Sequence, residues 1–350
     1  MAESVRVTHK DIAARFGCDK STVSLALRGN PRIPEETRRQ ICALAEDMGY
    51  RPDPALAMLA RHRWARNDSE AGAALAYIVD KSNAEAYDQQ RSQLAAATER
   101  ARQRGYHLTE FDLAEYRSSE RASNVLYARG IQGLILPYMP RGTEERLHGP
   151  EWNRFTVVCC SFGWARAPFH VVAPDIFEGT RCVWRQVVAR GYNRVGAAMF
   201  RHSPVAVDDY SRLGACMVEQ AELVPAARHI PVLQSDPLDQ EAFLRWVEEH
   251  RPDVVIGFIN RVHDWLVEAG YRVPEDIAFA CLNVWPGERH TGLSVQHPQV
   301  ARSAVDFLIS QMHENQFGVP SVQHCLLLEP NWVEGLTLPH RTPGQGAGMG

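Results

Sequence analysis

From Ala74 onward the chain alternates short apolar runs with amphipathic stretches, and this alternation leaves few folds open. The runs at 74–80, 131–137, 156–162, 194–200, 253–259 and 277–282 are rich in Val, Ile, Leu, Ala and Phe and read as buried strands. Stretches at 89–104, 177–190 and 239–250 carry apolar residues at helical spacing between them. Strands that alternate with helices pair in parallel through right-handed crossovers. About 270 residues of this texture exceed one modest sheet, which predicts two α/β lobes.

The first fifty residues have a different texture. Thr8 followed three residues later by Asp11 has the form of a capping box, with Asp in place of Glu. Ile12, Ala13 and Phe16 share a face, and Gly17 ends this first helix. Asp19 is placed to cap a second helix, Lys20 to Leu27, with Val23 and Leu27 inward at i, i+4 spacing. After the break at Gly29-Asn30-Pro31, Pro34 opens a third helix at the position where a missing N–H costs nothing. Ile41, Leu44, Ala45 and Met48 form its apolar stripe, and Gly49 closes it. The first two helices are only about three or four residues apart, the spacing of a helix-turn-helix.

Pro52 and Pro54 separate this head from a short helical run, Ala55 to Trp64, and a polar stretch, Arg66-Asn67-Asp68-Ser69. The expected organisation is a helix-turn-helix head at 1–52, a hinge helix and linker at 53–73, and a two-lobed α/β core at 74–340. Residues 341–350 (RTPGQGAGMG) lack any apolar period and are expected to be a disordered tail.

Several classes drop out. No run of 18 apolar residues exists, and the N-terminus lacks a basic segment leading into an apolar one. A cytoplasmic protein is expected, rather than an exported binding protein. The eight cysteines form no C-x-x-C pair and the fourteen histidines no H-E-x-x-H, so neither metal nor cofactor is implied. Runs of the type G-x-G-x-x-G, G-x-x-x-x-G-K-[ST] and G-x-S-x-G are also absent, which argues against an enzyme. The net charge of −4 hides an asymmetry. Residues 1–66 hold 12 Lys and Arg against 8 Asp and Glu, and the remainder holds 26 against 34. A basic head on an acidic body suits a chain whose one end meets a polyanion.

A helix entering the major groove presents its first residues, and those one turn on, to base edges. In the second helix these are Lys20, Ser21 and Leu25. Lys20 can donate to guanine O6 and N7, Ser21 can bond to several bases, and Leu25 offers only apolar contact, as with a thymine methyl. Thr8, Thr22, Ser24, Arg28, Arg32 and Tyr50 are placed for phosphates, which fix register without reading sequence.

The run VTHKDIAARFGCDKSTVSLAL, with RIPEETRRQICALAEDMGYRPDPALAMLA after it, resembles the DNA-binding head of the lactose-repressor (LacI/GalR) family. The body is similar to that family's regulatory core, itself like periplasmic sugar-binding proteins. Arg104-Gly105-Tyr106, Ile131 to Ile135, Asp175 with Gly179, Arg190-Gly191-Tyr192, Asn260 and Val273 to Ile277 carry that likeness. The resemblance implies a dimeric transcriptional regulator, most often a repressor, binding a palindromic operator under allosteric control. It also implies that the hinge helices of two copies meet in the minor groove, where Leu59 occupies the wedging position. Leu56 stands where the family has a small alanine, and Pro54 is uncommon there.

In open α/β sheets ligands sit beyond the carboxyl ends of the strands. Those positions give Asp80, Lys81, Tyr138, Phe162, Trp164, Phe200, Arg201, Asn260, Asn283 and, close by, Trp285. Aromatics mixed with hydrogen-bonding groups suit a sugar-like effector. The family's Asn-Asp pair is Asn260-Arg261 here, and its aromatic-Asp pair is Leu282-Asn283. Asp209 takes the place of the family's arginine, with Arg212 nearby. A different ligand or none at all therefore stays open, as does an architectural DNA-binding role without an effector.

Overall fold

The structure, a computed structural model, describes residues 7–27, 33–50, 74–82, 84–139, 143–147, 149–162, 168–201, 205–235 and 239–341. The head consists of α1 (His9–Phe16), α2 (Lys20–Leu27) and α3 (Glu35–Asp47). Ile12, Ala13, Val23, Ala26, Ile41 and Ala45 are buried together at its centre, with Phe16, Leu27, Leu44 and Met48 around them. Gly17 takes φ +82°, and its N–H reaches the Ala13 carbonyl, closing α1 as a left-handed cap. Gly49 does the same for α3 at φ +70°. Thr8 precedes α1, and both its N–H and its hydroxyl donate to the Asp11 carboxylate, at 2.8 and 2.7 Å. Those bonds hold the Asp11 carboxyl below its ordinary pKa. Pro34 is the cap of α3 rather than its first helical residue, a shift of one position from the expected boundary.

Two six-stranded sheets follow. In lobe 1 the spatial order is β11-β5-β4-β3-β1-β2, all parallel. Its strands are β1 (Ala74–Val79), β2 (His107–Asp112), β3 (Ile131–Leu136), β4 (Thr156–Cys159), β5 (His170–Pro174) and β11 (Cys325–Leu328). Lobe 2 has the order β12-β10-β9-β8-β6-β7, parallel except for β12 against β10. Its strands are β6 (Val195–Phe200), β7 (Leu233–Ser235), β8 (Val254–Gly257), β9 (Ala278–Cys281), β10 (Thr291–Ser294) and β12 (Asn331–Val333). Both orders reverse direction once, between β1 and β3 and between β6 and β8, and such switch points open a crevice at the strands' carboxyl ends.

Helices cover both faces of each sheet, so the central strands are apolar on both sides. Leu75, Tyr77 and Val79 of β1 pack under α4 (Ala84–Gln103) and α10 (His297–His313). Ala76 and Ile78 face the layer holding α5 (Ser119–Ala128), Trp152 and Phe155. Asp306 of α10 pairs with Arg100 of α4 at 2.6 Å and with Arg104, just after that helix, at 2.7 Å. In lobe 2, α6 (Ile176–Ala189) and α7 (Val207–Leu223) lie on one face, and α8 (Gln240–His250) and α9 (Arg261–Glu268) on the other. Fully buried Glu219 of α7 accepts from Arg181 of α6 at 2.5 Å, with Arg185 at 3.3 Å.

The chain passes between the lobes three times, from β5 to α6, from β10 to α10 and from β11 to β12. At the second passage Gln296 turns the backbone through the left-handed region, φ 52° and ψ 48°, and its side-chain amide donates to the Glu329 carbonyl of the third, at 3.2 Å. Gly179 lies under the same passages, since a Cβ there would stand 2.6 Å from Leu293 and 3.0 Å from Pro330. Among the described residues, no helix is long and apolar enough to cross a membrane.

Candidate functional site

The outward face of α2 carries the candidate base-reading residues. Val23 and Ala26 point into the head's core. That leaves Lys20 and Ser21 exposed and Thr22, Ser24 and Leu25 half-buried at its edge. Thr8 is exposed beside α1, its hydroxyl committed to Asp11. Tyr50 shares its hydroxyl with His9 Nε2 at 2.7 Å, the two rings 5.1 Å apart, which ties the end of α3 to the start of α1. Arg28, Arg32, Leu56 and Leu59 lie outside the described residues, as does the whole hinge helix.

At the carboxyl ends of the lobe 1 strands, Asp80 is buried and accepts from Ser82 N–H at 3.0 Å and from the Ser82 and Thr143 hydroxyls. Burial raises its pKa, but those bonds and the charge of Arg146 outweigh it, so the carboxyl stays ionised below its ordinary value. The half-buried Tyr138 accepts at its backbone carbonyl from Gln90 at 2.7 Å. Trp164 lies outside the described residues.

Across the cleft, Arg201 is exposed at the end of β6. Arg212 is buried, its guanidinium stacked 3.7 Å from the Phe258 ring centroid and 3.3 Å from Asp209. Burial lowers its pKa, while Asp208, Asp209, Cys216 and Tyr138 act in the opposite sense. Asn260 donates to the Glu288 carboxylate and accepts from the Cys281 thiol at 3.2 Å. Both ends of its amide are therefore engaged within lobe 2.

Asn283 and Trp285 line a cavity of ≈ 640 Å³ between the lobes. The Trp285 N–H donates to Glu288 at 2.8 Å, and its indole stacks on His297, centroids 4.9 Å apart at 21°. Arg91 and Ser92 of α4, Ser294 at the end of β10, and Gln296 and His297 at the second passage add polar groups to that lining. His297 escaped the sequence reading. The only signal was a Gln-His-Pro at the head of a long apolar-periodic helix. Gln93 donates its amide N–H to His297 Nδ1 at 3.2 Å while accepting from the Tyr77 hydroxyl at 3.0 Å. An amide NH₂ can only donate, so Nδ1 is the acceptor and the ring proton sits on Nε2. That Nε2 is buried without a partner among the described residues.

Burial pushes the His297 pKa down to about 4, so the ring is neutral at pH 7. A folded pKa below the unfolded one favours the fold above pH 6.5 and withdraws that stability as pH falls toward 4. The loss expected from this group is about 2–3 kcal/mol by pH 4.5. Urea titrations of the wild type and of His297→Gln at both pH values check it. The variant's stability should fall less on acidification, and equal falls would show that His297 is not the source of the loss.

A small helix-turn-helix head on a two-lobed, hinged α/β body defines a class of chain in which a reading head is joined to a cleft. Residues 8–53 match the sequence model described as "Bacterial regulatory proteins, lacI family", so the chain carries a lacI-family helix-turn-helix domain at its N-terminus. No curated protein matches the chain. Similar solved structures include the complex of the transcriptional regulator CelR with cellobiose, at 16% identity. It covers 95% of this chain and 100% of that one, with a TM-score of 0.58. The lac repressor dimer bound to operator and the anti-inducer ONPF is 17% identical over 95% of this chain and 99% of that one, with a TM-score of 0.58. A LacI transcriptional regulator from Rhodococcus species is 19% identical, covering 76% of this chain and 98% of that one, with a TM-score of 0.57.

Proposed function

We propose that the chain is a sequence-specific DNA-binding transcriptional regulator, acting in the cytoplasm as a repressor and governed by a small molecule in the interlobe cleft. The carrying observation is the solvent-facing Lys20-Ser21 pair, which opens a helix held at a tight turn on its own core. One head spans only a few base pairs, so two copies related by a two-fold axis on a palindrome supply the length that selection in a genome needs. Two lobes joined by three passages can close on a ligand, and closure alters the spacing of the segments that lead to the heads. The lac repressor structure, a dimer on its operator, and the CelR complex with cellobiose support this reading through their shared fold. A carbohydrate-related effector is the class this supports.

Selection of bound sequences from random duplex DNA, followed by salt titration, tests the reading. The expected result is a palindromic motif of about 14–20 base pairs whose affinity falls steeply with salt. Salt-sensitive binding with no enriched motif would favour an architectural DNA protein instead. On the selected site, Lys20→Ala is expected to relax one base position per half-site, at about 1–3 kcal/mol, with the other positions unchanged. Uniform weakening across sequences would make Lys20 a phosphate contact.

A further inference from the structure

The two edges of the lobe 1 sheet are written differently. At one edge β2 carries Glu110 and Asp112, and Glu110 is paired with Lys81. Charge is one of the usual ways in which a protein keeps foreign strands off a sheet edge. β11, at the other edge, has no such guard, because residues 315–328 contain no Asp, Glu, Lys or Arg. Its inner side is bound to β5: the Val171 N–H donates to the His324 carbonyl at 2.9 Å, and the Asp175 N–H to the Leu328 carbonyl at 2.8 Å. His324 and Leu328 thus face β5, as does Leu326 between them, and Cys325 and Leu327 direct their N–H and C=O groups outward. The start of the strand is held in place, since the His324 N–H donates to His170 Nδ1 at 3.0 Å. Along the same run Val319, Val322, Leu326 and Leu327 are between 45% and 67% exposed. Among the described residues no strand pairs with this outer side.

We infer that the β11 edge is where a second copy of this chain joins, the two strands running antiparallel about a two-fold axis at Leu326. The neutrality of the run selects this occupant. A strand that meets its own copy sets its side chains against the same set, so a charge near the axis meets its like. β11 brings none there, whereas self-pairing of β2 would bring acidic side chains together. With the axis at Leu326, Cys325 exchanges both backbone hydrogen bonds with the partner's Leu327, and Leu327 does so with the partner's Cys325. The two Leu326 side chains then face each other, their Cα atoms about 4.5 Å apart. Two six-stranded sheets become one continuous sheet. Four residues of strand bury less than the roughly 800 Å² per partner of a standard interface, so Val319 and Val322 also take part and a dissociation constant of about 1–100 μM is expected. This goes beyond the DNA-binding reading and does not depend on it. Where another face joins two heads on a palindrome, β11 joins such pairs to one another.

The test is sedimentation velocity of the full chain at about 100 μM, the weak end of that range. Leu326→Lys sets two like charges across the axis, and Leu326→Glu does so with the opposite sign. Leu326 lies outside the buried clusters of lobe 1, so both variants should keep the wild-type circular dichroism and thermal midpoint. Each variant alone should be lighter than the wild type, approaching half its mass. An equimolar mixture of the two should recover the wild-type mass, because opposite charges then meet. That recovery is specific to a second copy paired about Leu326. Cys325 is the one exposed cysteine of the eight, and in this pairing it lies diagonal to the partner's Cys325, at about 7–8 Å. A bis-thiol reagent of that span should therefore couple two wild-type chains, and Cys325→Ser should erase the product. Variants as heavy as the wild type would overturn the inference and leave the edge to a strand of a different protein or to solvent. A mixture no heavier than its components would overturn it as well. Mass is read without DNA, so this inference and the regulator reading can fail separately.

Discussion

Gly292→Ala is expected to destabilise lobe 2 by at least about 3 kcal/mol. Gly292 sits in β10 at φ +157°, in register with Cys281 of β9. A Cβ there would overlap the Cys281 carbonyl oxygen and lie 2.8 Å from both its carbonyl carbon and its amide nitrogen. These are main-chain atoms of a strand buried on both faces, so no side chain can rotate aside. Relief requires parting β9 from β10 and moving the passage that begins two residues later. The check is urea denaturation followed by tryptophan fluorescence, since Trp184, Trp246 and Trp265 all lie in lobe 2 cores. A midpoint unchanged from the wild type would show that the strand pair can shift freely. A ligand that binds across Asn283 and His297 should also bind the variant more weakly, because β10 leads directly into that lining.

Ile41→Ala is expected to abolish DNA binding while leaving the two lobes folded. Ile41 is fully buried, one of six buried apolar side chains among the described residues of the head. Truncating such a residue costs about 2–5 kcal/mol, and a domain this small holds little more than that in total. The cavity falls between α1, α2 and α3, so α2 loses the support that aims Lys20 and Ser21. Anisotropy with the selected duplex should show affinity reduced by at least about a hundred-fold, the equivalent of roughly 3 kcal/mol. Thermal unfolding of the lobes should stay in place. Retained affinity would mean that the head draws its stability from DNA or from a second copy.

Legibility in the sequence followed burial. The strands β1, β3, β4, β6, β8 and β9 are enclosed on both faces and spell nearly unbroken apolar runs, so their positions were readable within a residue or three. β2 (HLTEFD) and β11 (CLLL) are sheet edges, the first written in mixed polar residues and the second exposed along most of its length. Neither carries an alternation that separates it from loop. β7 and β12 are three residues long, too short to show any period. The head was readable because Gly17, Gly49 and the inward Ile12, Val23 and Ile41 answer to local rules of caps and spacing.

The cleft was only half readable. The strand-end rule gave Asn283 and Trp285, which line the cavity. It also gave Asn260, whose amide is taken by Glu288, a residue 28 positions further along. His297 reaches the cavity by a passage between sheets, and its proton is placed by Gln93 from 204 positions away. Pairings of that range follow from which lobe α10 joins, and periodicity within α10 says nothing about that.

That helix also sets a schedule for the growing chain. α10 and β11 belong to lobe 1, although they are made after almost all of lobe 2. A nascent chain released from the ribosome in order would offer a finished head first and a nearly complete lobe 2 next. Lobe 1 would wait, with Leu75, Tyr77 and Val79 covered on one face by α4 alone until residues 297–313 arrive. Non-local closure of this kind is slow and leaves apolar surface open to other chains. The first-made α/β lobe is thus sealed only after most of the second has been made, and chains stopped before about residue 300 should be natural clients for chaperones and proteases.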